Sequence, residues 1–466
     1  MSNITVQTSP LQGWTDSPDG RGTIDIVTSC VCTIFICIWS VLCINIGPRG
    51  ESAWANVYEK LKLAFICILG PDFLLLLVIG QWESARRSCR KFKERGIEGW
   101  SMRHAFYADM GGFVVRTRDE VDWPLDANQL FYLISENWIK EPIILSQVIL
   151  DKSDIDDRNK QNALVRVFTI AQILWFLISC LARWYQRLAV TTLELTTIGF
   201  IATTICVSIF WFNKPADIET QRTIDIDATI LEIHMKAGQD HTYYWYDTPL
   251  DFVNPERTYP EVAWRYCLNI LSAVLMRRGN QPRPIRGRRN DNFPNLSYSG
   301  VGILYLCGIF SWGSNIIGWN FDFPTIIEKQ MWRACCLILV ATVGVGELYR
   351  EILLHFFPDM KRKACDRFAA GKRSIVIYEP KPLRTKSFAK RLERWSKRNI
   401  LWLSNISPNG DPSLTIQLRV LLPALFCAAA YSIARSYLLV EDFIAFRGQN
   451  PDIYKSVSWV DFLPHV

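Results

Sequence analysis

The chain has 466 residues, a formal net charge of +7 and a mean hydropathy of +0.08, which fit either several soluble domains or one large membrane bundle. Its apolar residues are concentrated in runs of about 18 to 25, the length that an α-helix needs to cross a bilayer. This distribution argues against a soluble globular domain and predicts a membrane protein.

Seven such runs predict an all-α transmembrane helical bundle that forms one integral membrane domain over residues 1–466. The first run is too long for the apolar part of a cleavable signal, so we expect it to be a signal-anchor and the first span. Proline residues are expected to kink the second span and to interrupt the last. The predicted spans are about 24–46, 61–81, 163–183, 188–212, 300–320, 332–355 and 414–438.

Three long connections, 82–162, 213–299 and 356–413, alternate with short ones and therefore lie on one side of the predicted membrane. Basic runs flank them, whereas the short connections carry few Lys or Arg. By the positive-inside rule, we expect the long loops and the N-terminus in the cytosol. Basic runs beside apolar spans fit anionic lipid headgroups better than nucleic acid, so no nucleic-acid partner is predicted.

Two stretches of these loops predict helices that lie in the membrane interface, WSMRHAFYADMGGFVV at 100–115 and VAWRYCLNILSAVLM at 262–276. In the first, His104 and Asp109 are followed by a Gly-Gly pair that is expected to end the helix. One interpretation is that these two residues are turned toward water on an interfacial helix. The alternative is that they belong to a lid over a cavity.

Ionisable side chains inside apolar runs are the main candidates for chemistry, because a charge in lipid needs a partner or a wet cavity. They are Asp72, after a Gly-Pro pair, Glu194 and Glu347. A buried acid can remain a proton donor near neutral pH. The alternative is an architectural role: such acids can pair with arginines or cap helices, and Glu194 has Arg183 and Arg187 in the same hairpin.

Motifs for bound cofactors are missing from the sequence. It has no P-loop, no dinucleotide-binding glycine fingerprint, no HExxH, no G-x-S-x-G and no aspartate-rich cluster for magnesium. Most of the 14 cysteines lie in apolar runs and lack the spacing of metal ligands, so we interpret them as packing residues. No cofactor and no metal is therefore expected.

Four stretches, in consistent order, resemble a large family of fungal integral-membrane proteins. They are GRGTIDIVTSCVCTIFICIWSVLCINI (20–46), PD…QWESARR continuing into RHAFYADMGGFVV (71–115), ALVRVFTIAQILWFLISCLARW…LAVTTLELTTIGF…WFNKP (163–215) and RSYLLVEDFIAFR…PDIYKSVSWVDFLPHV (435–466). Family members with an activity are similar to the membrane-bound terpene cyclases of fungal meroterpenoid biosynthesis, such as the ascofuranone and macrophorin types. The resemblance implies an isomerase-type cyclisation in secondary metabolism and supplies no catalytic signature to align.

Such a cyclase would act on a lipophilic terpenoid dissolved in the bilayer, in the endoplasmic reticulum or another endomembrane. A protonated acid would open an epoxide or protonate an olefin, and aromatic faces would stabilise the cation. The candidate catalytic residues are Asp72, Glu347, Glu194, His104 and Asp109. The aromatic residues available on the spans are Trp175, Tyr305, Phe310, Trp312, Trp319 and Tyr431.

Two other classes of function compete with the cyclase. One is a transporter or exporter of a secondary metabolite, although the sequence lacks the two matched halves with broken helices that inverted-repeat carriers show. The other is a seven-helix receptor or a non-catalytic scaffold, which the large loops suit, although they carry no recognisable signalling motif.

Overall fold

The computed structural model describes residues 11–16, 20–149, 163–216, 218, 220–239, 246–254, 259–274, 283–290, 296–356 and 418–459. The described part is mostly helical. Its helices are α1 (Thr23–Val41), α2 (Ala53–Leu69), α3 (Pro71–Glu94), α4 (Met102–Asp109), α5 (Ala127–Ser135), α6 (Glu141–Ile143), α7 (Ala163–Tyr185), α8 (Thr192–Phe210), α9 (Ile230–Lys236), α10 (Tyr259–Val274), α11 (Tyr298–Ile317), α12 (Ile326–Phe356) and α13 (Leu418–Ile444). Its strands are β1 (Phe113–Arg116), β2 (Asp122–Pro124) and β3 (Arg222–Asp225).

Five helices of the described chain, α1, α7, α8, α11 and α13, are long and apolar enough to cross a membrane, and a bent pair formed by α2 and α3 would be a sixth. Large apolar side chains on their outer faces are exposed, for example Phe35 at 59%, Phe168 at 71%, Phe310 at 61% and Phe426 at 75%. Surfaces of this kind fit lipid rather than water. Helix α12 covers the predicted span 332–355, but its side chains from 347 onward lie outside the described residues.

The second predicted span, 61–81, is broken rather than kinked. Helix α2 ends at Leu69, α3 begins at Pro71, and the two axes differ by 116°. Pro71 suits the first position of a helix because it has no N–H to leave unpaired, and its ring is incompatible with continuing α2. Helix α3 runs to Glu94, so the start of the predicted loop 82–162 is helical. Pro423 lies inside α13 without interrupting it, contrary to the prediction.

The prediction of an all-α fold is wrong, because the structure contains a small sheet in the order β2-β1-β3. Strand β1 pairs antiparallel with β2 and parallel with β3, with Val114 opposite both Pro124 and Thr223. We call α4, β1, β2, α5, β3 and α9 the sheet unit. It is formed by residues of the predicted loops 82–162 and 213–299, while the loop 356–413 lies outside the described residues beyond its first position.

The sheet unit replaces the interfacial helix predicted at 100–115. Helix α4 ends at Asp109 as the Gly-Gly pair predicts, and Gly111 adopts a positive φ of 83°. Residues 113–115 form a buried strand, not part of a helix. Gly112 lies directly against the Tyr107 ring, whose hydroxyl donates to the Thr220 carbonyl at 3.0 Å. The second predicted stretch, 262–276, is helical as α10 up to Val274, and its last two residues lie outside the described residues.

One hydrophobic core connects the sheet unit to the bundle. It includes Leu75 and Val78 of α3, Phe200 of α8, and Phe113 and Trp123 of the sheet. A second core packs α12 on α13 and contains both cysteines of the CC pair, Cys335 and Cys336, as small apolar residues. The packing of α3 and α13 by these cores positions the polar side chains described next.

Candidate functional site

Helix α13 carries a row of polar side chains into the bundle. Tyr431, Arg435 and Asp442 are separated by four and seven residues, so they project from one helix face. They are only 5%, 4% and 1% exposed. Asp72 of α3 and Trp312 of α11 face the same row. We call these five residues the buried polar cluster.

Asp72 lies in the first turn of α3, directly after the break that separates α2 from α3. The Tyr431 hydroxyl donates a hydrogen bond of 2.6 Å to its Oδ2. Its Oδ1 is buried and makes no hydrogen bond of normal geometry in the described chain, and the indole N–H of Trp312, which lies close enough to act on Asp72, also makes none. A buried carboxyl oxygen without a donor is unfavourable, so Oδ1 marks a position for a proton, a water or a ligand.

Arg435 supplies the positive charge of the cluster. Its guanidinium lies over the Phe200 ring, 5.3 Å from the centroid, and acts electrostatically on both Asp72 and Asp442. The Nε of Arg435 has no hydrogen-bond partner within the described residues. One arginine therefore acts on two carboxyl groups, that of Asp72 on α3 and that of Asp442 on α13.

Aromatic and apolar side chains close the cluster on the Asp72 side. Phe73 packs against Tyr431 and Trp264, with ring centroids 5.4 and 4.9 Å away. A cavity of about 10 Å³ lies beside it. The cavity is lined by Leu63, Ile66, Cys67, Phe73, Leu74, Leu77 and Trp264. This volume is about that of one water molecule, so larger molecules reach Asp72 from this side only if the helices separate.

The six aromatic residues that the sequence makes available lie in three different places. Trp312 and Tyr431 belong to the buried polar cluster, and Tyr305 contacts Trp312 edge-on at 6.2 Å. Trp175 and Phe310 are 58% and 61% exposed on the outer surface of the helices. The sixth, Trp319, stacks with the guanidinium of Arg333 at the end of α11. Two of the six are therefore placed to contact a molecule at Asp72.

Glu194 is held in an architectural arrangement at the start of α8. Its Oε2 accepts hydrogen bonds from the backbone N–H and the hydroxyl of Thr191, at 2.8 and 3.0 Å, in a capping box. Its Oε1 forms an ion pair with Arg21. The suggested partners in the hairpin were wrong: Arg183 donates instead to the carbonyls of Ala189, Asp452, Ile453 and Lys455.

His104 and Asp109 belong to the sheet unit and do not reach the cluster. His104 is 1% exposed and its Nδ1 lies 2.7 Å from the Ser101 hydroxyl, so the interpretation that it faces water is wrong. Asp109 accepts hydrogen bonds from the Ser84 hydroxyl and the Ala127 N–H, each at 3.0 Å. Burial, and then the carboxylate of Asp126, raise the pKa of Asp109 to about 6. These contacts join α3, α4 and α5.

The remaining candidate, Glu347, lies on α12, and its side chain falls outside the described residues. Of the described candidates, only Asp72 lies in the buried polar cluster. Asp442 was not among the predicted residues, because it lies beyond the predicted end of the last span. The available signal was the spacing of Tyr431, Arg435 and Asp442 on one face of a helix extended by two turns.

Fold and cluster together define a class: a mostly helical chain with several helices suited to cross a membrane and a polar cluster buried among them. The chain belongs to a protein family described as a family of unknown function (DUF8562), whose model matches residues 1–236. No curated protein and no solved structure matches the chain. The matched region includes Asp72 and ends before Trp312 and the three cluster residues of α13.

Proposed function

We propose that this protein is an integral membrane enzyme that closes rings in a lipophilic terpenoid by proton transfer from Asp72. The observation that supports the proposal is the carboxyl group of Asp72, which accepts a hydrogen bond from Tyr431 on one oxygen and has a buried second oxygen with no described partner. That second oxygen is the one that can carry a proton and deliver it to a substrate. The family resemblance in the sequence points to the same chemistry by analogy.

The reaction would be an isomerisation. Asp72 Oδ1 gives its proton to an epoxide oxygen or an olefin carbon of the substrate. The epoxide C–O bond breaks, or the π bond is protonated, and a neighbouring double bond attacks the electron-poor carbon to close the ring. Loss of a proton from carbon then restores the Asp72 acid. Tyr431 continues to donate to Oδ2 and stabilises the transient carboxylate, while the faces of Phe73 and Trp312 stabilise the cation.

Access would require a movement of helices. Ligand sites for molecules of this size have volumes of roughly 300–1,000 Å³, far larger than the cavity of about 10 Å³ beside Phe73. Helix α2 lines that cavity and is joined to α3 by the 116° break, so displacement of α2 is the simplest opening. A substrate dissolved in the bilayer would enter between α2 and α3.

We also propose seven spans, with the N-terminus and the long loops in the cytosol and the chain in the endoplasmic reticulum or another endomembrane. Reporter fusions at positions 120, 260 and 380 should then all report the cytosol. If α2 and α3 form one broken span, the N-terminus and position 120 lie on the same side. Opposite sides for these two, or glycosylation of Asn295, would contradict this arrangement.

Product analysis tests the activity. Microsomes that contain the protein are incubated with linear prenylated arenes and their terminal epoxides, without added metal or nucleotide, and cyclic isomers are measured by mass spectrometry. Asp72→Asn removes the transferable proton and keeps the shape, so we expect a loss of turnover of about 10²–10⁴-fold. Tyr431→Phe should cause a loss of about tenfold. Glu347→Gln tests the acid whose side chain lies outside the described residues.

Asp109→Asn is the matched control, because it changes a buried acid outside the cluster and should keep turnover when corrected for protein amount. Full turnover in Asp72→Asn would contradict the proposal, and abolition by a chelator would contradict its metal-free form. Movement of the unchanged terpenoid across the vesicle membrane would favour the transporter instead.

A further inference from the structure

A second set of polar atoms without partners surrounds Asp442, at the end of the cluster remote from Asp72. Both carboxyl oxygens of Asp442 are buried and accept no hydrogen bond in the described chain. Thr192 and Thr196 lie one turn apart at the start of α8. Their hydroxyl groups lie beside the Asp442 carboxylate, but neither forms a hydrogen bond of normal geometry with it. Thr192 Oγ1 has no partner among the described residues. Thr196 donates to Asn315 Oδ1 at 3.3 Å.

These side chains bring together oxygen atoms from three helices, α8, α11 and α13. Asp442, Thr192, Thr196 and Asn315 are each only 1–2% exposed. No histidine is part of the group, and the thiol of the neighbouring Cys336 donates to the Asn315 carbonyl at 3.7 Å. No set of three or more His, Cys, Asp or Glu in the described chain is arranged to hold a metal ion. Carboxylate, hydroxyl and amide oxygens are the ligands of hard cations, and a single carboxylate suits a single positive charge.

The local charges also leave room for one cation. The charges of Arg435 and Glu441 act on Asp442, and the charges of Glu328 and Arg447 act on Glu441. Three carboxylates therefore face two guanidiniums, one of which also acts on Asp72, so at least one positive charge is missing. Burial disfavours an uncompensated charge on Asp442, and either a proton or a bound cation would neutralise it. The dependence of stability on sodium distinguishes the two.

We propose that Asp442, Thr192, Thr196 and Asn315 bind one small monovalent cation of the sodium type. The carboxylate of Asp442 provides the charge, and the hydroxyl and amide oxygens complete the inner coordination. Bound there, the cation would fix α8, α11 and α13 at the end of the cluster that adjoins Arg435. This inference is independent of the proposed ring closure, because it involves none of the residues that would contact the terpenoid.

Thermal unfolding of the full-length protein in detergent tests the site. NaCl is titrated against choline chloride at constant ionic strength and pH 7.5, and the midpoint is followed by tryptophan fluorescence. A cation bound only by the folded protein should raise Tm saturably, by about 2–5 °C. Equilibrium binding of radioactive sodium should saturate at about one ion per chain, the stoichiometry of a single site.

Asp442→Asn should abolish both the Tm response and sodium binding. Thr192→Val removes one oxygen ligand and should therefore raise the half-saturating sodium concentration about tenfold. Asp322→Asn is the matched control: it makes the same charge change at the same end of the bundle, where Asp322 is exposed and accepts from Asn450. In choline, Asp442→Asn should melt no lower than wild type, which separates loss of the site from misfolding. The proposal would be overturned if Asp442→Asn showed the same Tm response to sodium as wild type, or if the wild-type Tm were the same in NaCl and choline chloride. It would also be overturned if only a lower pH, and not sodium, raised the Tm.

Discussion

The sheet unit and the buried polar cluster both contain buried ionisable groups, but the hydrogen bonding of these groups differs. In the sheet unit Asp109 accepts hydrogen bonds from the Ser84 hydroxyl and the Ala127 N–H, and His104 Nδ1 accepts one from the Ser101 N–H and lies at hydrogen-bonding distance from the Ser101 hydroxyl. In the cluster, Asp72 and Asp442 retain oxygens without partners, as does the Arg435 Nε among the described atoms. Satisfied polar groups specify a structure, whereas unsatisfied ones reduce stability and are retained where a ligand or a reaction uses them. The contrast concerns the carboxyl groups of the two regions, because the sheet unit also has a buried polar atom without a described partner, the indole N–H of Trp123.

The largest loss of stability is expected in the sheet unit, from Gly112→Ala. A Cβ at this position would overlap the Tyr107 ring, which is completely buried and held by its hydrogen bond to Thr220. Overpacking of this kind should lower the free energy of unfolding by about 3 kcal/mol. Yield and Tm in detergent measure it. Gly96→Ala is the comparison variant, because an added Cβ there meets nothing within 4 Å and only the positive φ of 79° opposes it, whereas Gly112 has no positive φ. A loss in Gly112→Ala no larger than that in Gly96→Ala would contradict the steric overlap with Tyr107.

Glu194→Gln tests a buried carboxylate of the helical bundle whose two oxygens both have partners. The amide would place an NH₂ group against either Arg21 or the Thr191 N–H, so one donor faces another. We expect a loss of about 2–3 kcal/mol, since breaking a buried, hydrogen-bonded pair leaves its partner unpaired. A shift in the chemical denaturation midpoint measures this, and no shift would show that the capping box and the ion pair are replaceable.

The positions of most helices could be predicted from the sequence, because runs of apolar residues long enough to span a bilayer carry a strong signal. The sheet unit could not, since its strands have only three or four residues and their partners are far apart along the chain. Asp72 was found because an acid in an apolar run is conspicuous. Asp442 was missed because it follows the apolar run, and its burial depends on α8 and α12, which pack against α13.

The pH dependence of stability tests the environment of Asp109 in the sheet unit. Its pKa is about 6 in the folded protein and about 3.9 when unfolded, so the folded state holds this proton more tightly. The resulting stabilisation is fully present below about pH 4 and is lost as the pH rises through about 6. The stability of wild type relative to Asp109→Asn should fall by about 1–2 kcal/mol between pH 4 and pH 7. A constant difference across this range would contradict the buried state of Asp109.

A smaller effect is expected from Ser101→Ala at the start of α4. The Ser101 hydroxyl lies 2.7 Å from His104 Nδ1, and the Ser101 N–H donates to the same nitrogen at 3.2 Å. Alanine retains the N–H contact and removes the hydroxyl, so we expect a loss of about 1 kcal/mol. Ser101→Thr keeps a hydroxyl and should restore most of the Tm. A loss that Thr does not restore would indicate a packing effect.

The smallest change in stability should come from Asp72→Asn, and this variant tests the central claim most directly. Asparagine keeps an acceptor for Tyr431 and removes a carboxyl oxygen that has no partner in the described chain. Tm is measured for wild type, Asp72→Asn and Glu194→Gln in one detergent at pH 7.5. The account predicts that Glu194→Gln melts several degrees lower while Asp72→Asn melts at or above wild type. If Asp72→Asn falls as far as Glu194→Gln, the buried polar cluster is architecture and Asp72 is not kept for a reaction.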